Sequence, residues 1–383
     1  MVDLMDNPIT GAVSILLIFL CACVSPDQQS IRNNEVGKIQ VNLKYAKRFE
    51  VWKKDEMVEV SVNSGSGSHQ PETYLLIPAG SSNMANIAGN TIKVPVKNLV
   101  VTSTSHIPFL SMLGVSEYLA GFPNTKYVSS ATVRERIEMG LVKDVGTVNG
   151  LNFESLISLQ PELVVSYASG ADRTQLDQLN QSGIPYVLLQ DFMEETPLGR
   201  AEWIKFMGLL TGRSAQADSV FDYIEKNYLD LKGLTDGLQE KPTVFSGILY
   251  GDTWFAPGAD SFAAKFIEHA GGDYTWKDLN GSGSAELSLE AVFDRNMDTE
   301  FWIGAGQYTS KTALAEADTR YSNFRAFQTD HVYNYHGSIG PTGGFEYFEL
   351  GGARPDLVLS DLIKILHSDL LPEYQPYFYK KLD

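Results

Sequence analysis

Glu154 and Glu290 sit 136 residues apart, in segments that align without a gap. Leu151-Asn-Phe-Glu154 and Leu287-Ser-Leu-Glu290 each offer a polar cap candidate (Asn152, Ser288), then the glutamate, then an apolar pair one turn on. A second acid, Glu162 or Asp298, precedes a β-like run in each. Such a glutamate falls in the first turn of a helix, where free N–H groups and the dipole favour negative charge. Two carboxylates at matched places on two related lobes suit docking on a two-fold partner. Exposed charges of this kind steer encounter and set register more than they add affinity.

Signatures of bond-making chemistry are missing. The sequence has no G-x-S-x-G elbow, no G-x-x-x-x-G-K-[ST] loop, no H-E-x-x-H and no complete G-x-G-x-x-G. The six histidines, at 69, 106, 269, 331, 336 and 367, show no local metal-ligand spacing, so no metal site is expected. Aromatic and polar residues at the ends of expected strands remain. Tyr250, Trp254 and Phe255 would form a wall with polar tips for a large planar or macrocyclic ligand, and Tyr167, at another strand end, is a further cleft candidate. His106 is a candidate ligand to a metal carried by the bound molecule, and Arg354 a partner for its carboxylate; ordinary hydrogen-bonding roles stay open for both. Asp252 and Asp260 are the acid and base candidates of an alternative, an exported two-lobed α/β enzyme using cleft carboxylates.

The elements that must hold these residues follow from periodicity. Residues 38–97 alternate apolar and polar in short runs around Gly/Ser turns, which reads as a small β-meander. From 98 to 196 strands alternate with helices, implying a mostly parallel, covered sheet, the N-lobe. Within 197–240 no strand is expected. Ala217, Val220, Phe221, Ile224, Tyr228 and Leu231 instead make one apolar stripe, beginning near a cap at Ser214. Such a helix either braces two lobes as a strut or packs within one. The α/β pattern resumes over 241–383, the C-lobe, with one strand across Thr243–Tyr250. The fold class is α/β: two lobes joined by a long rigid helix, plus a β-rich N-terminal segment.

A net charge of −17 and a pI near 4.8 exclude broad binding to nucleic acid. Residues 1–22 read as a lipoprotein signal peptide: an apolar run, Ala12 to Leu20, too short to span a bilayer, ends in Leu20-Cys-Ala-Cys23. Its start carries Asp3 and Asp6 where a basic residue is usual. Cys21 and Cys23 are the only cysteines, so cleavage after Ala22 leaves Cys23 alone to carry a lipid and rules out a disulfide framework. Residues 23–37 read as a polar tether. A glycan-binding or adhesion lipoprotein built on the β-rich segment is a further alternative.

In this order, the lipobox, Val145-Gly-Thr-Val-Asn-Gly-Leu-Asn-Phe-Glu154, Leu159-Gln-Pro-Glu-Leu-Val, the long helix and the second α/β lobe resemble the class III substrate-binding proteins of ABC importers. The resemblance covers roughly residues 98–370. It implies a monomer anchored in the periplasm, with no intrinsic cofactor. Cobalamin, haem or a ferric siderophore, a cobalt- or iron-containing chelate, would lie between the lobes. Glu154 and Glu290 would engage arginines on an ABC permease dimer served by its ATPase.

Overall fold

The computed structural model describes residues 38–63, 70–81, 90–147, 150–167 and 173–383. The expected signal peptide, Cys23 and the tether lie outside them. Among the described residues no helix is long and apolar enough to cross a membrane.

Each lobe is built on a five-stranded sheet. In the N-lobe the spatial order is Tyr186–Leu188, Leu163–Ser166, Leu99–Val101, Leu119–Phe122, Lys143–Asp144, all parallel. In the C-lobe it is Asp273–Tyr274, Thr243–Ser246, Phe301–Ile303, Val332–Asn334, with Lys380–Lys381 added antiparallel at the edge. In the N-lobe the first strand is central, the next two lie on one side of it and the last two on the other. In the C-lobe the second strand lies on one side of the first, and the chain returns past the first to place the next two, and then the antiparallel edge strand, on the other. The strands are short and wholly apolar at their centres because helices cover both faces.

The paired helices, Phe153–Leu159 and Leu289–Asn296, are capped as the sequence requires. Asn152 accepts from Ser155 N–H at 3.0 Å and Ser288 from Ala291 N–H at 3.2 Å. The gapless alignment fails two residues further on. Glu162 accepts the N–H groups of Lys97 and Asn98, just ahead of the first N-lobe strand. Its counterpart is Glu300, not Asp298: Glu300 accepts Thr243 N–H at 2.9 Å at the start of the first C-lobe strand. In each lobe this acid ties the strand after the paired helix to the neighbouring first strand, and the register between those strands fixes which acid does so.

The single strand expected over 243–250 is two. The chain bends at Gly247, whose φ is +107° and whose missing Cβ would stand 2.2 Å from the Phe255 carbonyl oxygen. Only glycine tolerates that bend. Ile248–Tyr250 then turns back on Thr253–Pro257, which pairs with Ser284–Leu287, giving a three-stranded antiparallel sheet that leads into the Glu290 helix.

Three helices, Pro197–Glu202, Ile204–Thr211 and Ser214–Thr235, join the lobes. Ser214 lies inside the last one and does not cap it. Its stripe divides: Ala217, Phe221 and Ile224 are buried in the N-lobe core and Tyr228 in the C-lobe core. The helix is therefore a strut common to both lobes.

The N-terminal sheet, Ile39–Val41, Phe49–Lys54, Met57–Val62, Glu72–Pro78 and Asn90–Val94, departs from a meander because its last pair is parallel. Its buried face is continuous with the N-lobe core. Phe49 packs 4.5 Å from Trp203, and Tyr74 accepts a hydrogen bond from Leu188 N–H at 3.0 Å, closing the N-lobe's edge strand.

Candidate ligand-binding cleft

Ligands of open α/β sheets bind beyond the carboxyl ends of the strands, where the winding reverses. In the N-lobe that place lies between Leu99–Val101 and Leu163–Ser166, whose ends are bridged by Thr102 and Ser166 hydroxyls at 3.0 Å. A cleft of about 320 Å³ opens there. Thr102, Ser103, Thr104, Phe122, Tyr127, Ser129 and Tyr167 come to it from the N-lobe, and Gly344, Phe345, Phe348 and Glu349 from the C-lobe. Tyr127 and Phe348 are largely exposed rings, and Tyr167 meets Phe192 edge-on at 5.8 Å. The site is thus an aromatic slot with hydroxyls at its base.

Glu349 closes the floor between lobes. Its carboxylate accepts the N–H groups of Ser129 at 2.7 Å and Ser130 at 2.9 Å. These open the helix Ala131–Glu138, for which Ser130 supplies no side-chain cap. One lobe thus caps a helix of the other. With only 5% of the residue exposed, burial pushes the Glu349 pKa up to about 7; the two N–H groups oppose the shift and nearby Glu346 adds to it.

Of the cleft residues expected from sequence, only Tyr167 lines this slot. Trp254 is fully buried, donating to the Ser246 carbonyl at 3.2 Å, stacked on Phe245 and packed against Trp302. Successive strand residues face opposite ways, so Tyr250, Trp254 and Phe255 do not form one wall. Tyr250 stands at a hairpin turn, 81% exposed, and Phe255 is half-buried on the same face. His106 is wholly buried beneath the cleft, 3.2 Å from Asp191, a carboxylate that also faces Arg200 at 3.8 Å. Burial would raise the Asp191 pKa, but the His106 hydrogen bond and the nearby positive charges hold it below the usual range. His106 is therefore buried in a hydrogen-bonded pair and does not line the slot. Arg354 is engaged at both ends of its fork by Asp356, at 2.8 Å each, and the pair opens the final helix, Pro355–Leu366.

Asp252 lies in the hairpin turn and Asp260 beyond the far end of the strand Thr253–Pro257, accepting from Gly281 N–H at 2.8 Å. They do not converge into an acid–base pair. Among the described residues no cluster of His, Cys, Asp or Glu is arranged to hold a metal ion. Glu154 and Glu290 are both exposed, one on each lobe, and neither accepts a hydrogen bond among the described residues. The slot's C-lobe aromatics, Phe345 and Phe348, went unread in the sequence. Their only signal is the loop Gly340-Pro-Thr-Gly-Gly344, which delivers them to the cleft.

Two lobes, each on a five-stranded sheet, braced by one helix and parted by an aromatic cleft, define a two-lobed solute-binding protein. The chain belongs to the periplasmic binding protein family, whose profile matches residues 99–338. An uncharacterized lipoprotein of Methanocaldococcus jannaschii is 25% identical over 410 residues, spanning 97% of this chain and 95% of that protein. A second such lipoprotein of the same organism is 26% identical, over 79% and 78% of the two chains. Among solved structures, a periplasmic heme-binding protein from Pseudomonas aeruginosa superposes with a TM-score of 0.56 at 18% identity, covering 75% of this chain and 98% of that one. The apo periplasmic heme-binding protein of Roseiflexus gives 0.54 at 17%, covering 72% and 99%.

Proposed function

We propose that this protein captures a metal chelate with a broad apolar face, of the haem, cobalamin or ferric-siderophore kind, and hands it to an ABC permease driven by its ATPase. The carrying observation is the slot between Tyr127, Tyr167, Phe345 and Phe348 at the carboxyl ends of the N-lobe sheet. Flat rings bury a large apolar ligand at little entropic cost, while the hydroxyls orient it. The heme-binding descriptions of the Pseudomonas and Roseiflexus proteins support the same class of cargo. The protein makes and breaks no bond. It acts outside the cytoplasm as a monomer, held to the membrane through a lipid on Cys23, a reading supported by the lipoprotein descriptions of its relatives. Glu154 and Glu290 dock the two lobes on the permease.

Absorption spectra and native mass after incubation with haem, cobalamin and a ferric siderophore test the cargo. One of the three should remain bound; if none does, the chelate reading fails. Reversing Glu154 and Glu290 to lysine should block uptake without changing binding, and normal uptake by that double variant would remove their docking role.

A further inference from the structure

The three-stranded sheet of the C-lobe presents a surface outside the cleft. Tyr250 pairs with Thr253, Ile248 with Phe255, and Phe255 with Glu286. Residues paired across strands share a face and successive residues alternate, so Tyr250, Thr253, Phe255 and Glu286 lie on one face and Leu249, Trp254 and Leu287 on the other. The second face is core, since Trp254 and Ala256 are fully buried. The first is open at its Tyr250 and Glu286 end, while Ile248 at its other end packs against the core.

The hairpin turn at Gly251-Asp252 lies at the same end of the sheet as Leu287, because Leu287 pairs with Trp254 on an antiparallel strand. From Leu287 the chain passes through the Ser288 cap directly to Glu290. Two strand spacings, about 10 Å, separate Tyr250 from that cap. Tyr250 makes no ring contact among the described residues and contributes nothing to the cleft lining. The nearby cation Arg320 feels the charge of Glu290 but is held by Asp318 at 2.6 Å. Asp252, Glu286 and Glu290 are exposed around an exposed phenol beside the hairpin turn.

We infer that Tyr250, Phe255, Glu286 and Glu290 form one docking patch whose occupant is an arginine- or lysine-bearing surface of the membrane permease. The inference rests on the docking role of Glu290 and widens it from one acid to an aromatic–acidic surface. A cation from the partner lies over the Tyr250 ring and pairs with the carboxylates beside it. Tyrosine suits this place because its ring gives contact area with little side-chain entropy to lose. In the N-lobe, Glu154 follows only a pair of two-residue strands, Gly146–Thr147 and Gly150–Leu151, so the two lobes offer the partner unequal contacts.

The test uses the full chain and its permease–ATPase complex in lipid nanodiscs, measuring complex affinity and stimulation of ATP hydrolysis for Tyr250→Ala, Glu286→Ala, Glu290→Lys and Glu154→Lys. Melting temperature and the haem titration serve as controls for fold and cleft. Tyr250→Ala should weaken the complex tenfold or more, with both controls unchanged. Wild-type affinity for Tyr250→Ala and Glu286→Ala, with Glu290→Lys defective, overturns the patch and leaves the docking reading standing. Wild-type affinity for all four variants overturns the docking reading itself.

Discussion

Glu349 is the side chain with the most at stake in the cleft, because it joins the lobes through a carboxylate whose protonation the fold changes. Its folded pKa, about 7, lies above the ordinary glutamate value of 4.5. The folded, lobe-bridged state therefore holds the proton more tightly than the unfolded chain does. That contribution is fully present below pH 4.5 and is lost as pH rises through about 7, amounting at most to about 3 kcal/mol. Glu349→Gln should flatten the pH dependence of denaturant-measured stability between 4.5 and 7 relative to wild type; identical slopes would show that Glu349 does not titrate there. In the slot itself, Phe348→Ala or Tyr127→Ala should weaken whichever chelate the wild type retains by roughly tenfold to a hundredfold, with little change in melting temperature because both rings are largely exposed. At this scale the sequence is an uneven guide. Tyr167 falls at a strand end that local pattern identifies, but Trp254 and His106 could not be told from ligand contacts, since residue type does not say which way a side chain faces.

The N-terminal sheet shows how an element can have no visible purpose in sequence and a plain one in space. Tyr74 reaches across to the Leu188 N–H on the N-lobe's outermost strand, and Phe49 covers Trp203 and Phe206. Tyr74→Phe should leave that buried N–H without its phenol partner and cost about 1–3 kcal/mol in chemical denaturation. Deleting residues 38–97 should yield aggregated protein by size-exclusion chromatography, because it bares both an edge strand and an aromatic core face. A soluble, monomeric deletion would mean the sheet is an independent module, as a glycan-binding alternative requires. Alternation of apolar and polar residues made the strands legible. Their parallel last pair, Tyr74 with Asn90, and the lobe they cover, through Tyr74 and Leu188, depend on contacts between residues distant in sequence.

Across the whole molecule the strut governs motion. Its 22 residues bury the first part of their stripe in the N-lobe core and the rest in the C-lobe core, so the lobes are joined by packed helix rather than by a loop. Spin labels at Glu138 and Glu316, with Cys21 and Cys23 replaced, should report an inter-lobe distance that shifts by less than about 2 Å on ligand binding. Lys226→Pro, mid-helix and exposed, should broaden that distribution by removing a helical hydrogen bond. A wide distribution in the wild type would end the strut reading.

By itself the sequence determined the alternation of strands and helices, the apolar stripe and the capped glutamates, Glu154 and Glu290. Each of these rests on interactions within a few residues, which periodicity and cap chemistry record directly. Tertiary structure alone decided that Glu300 matches Glu162, that Gly247 folds the first C-lobe strand into a hairpin, and that Phe345, Phe348 and Glu349 meet Tyr127 and Tyr167 in one cleft. Those outcomes depend on strand register and on which face of each strand meets solvent. Both are set by packing between distant segments, and no local pattern encodes them.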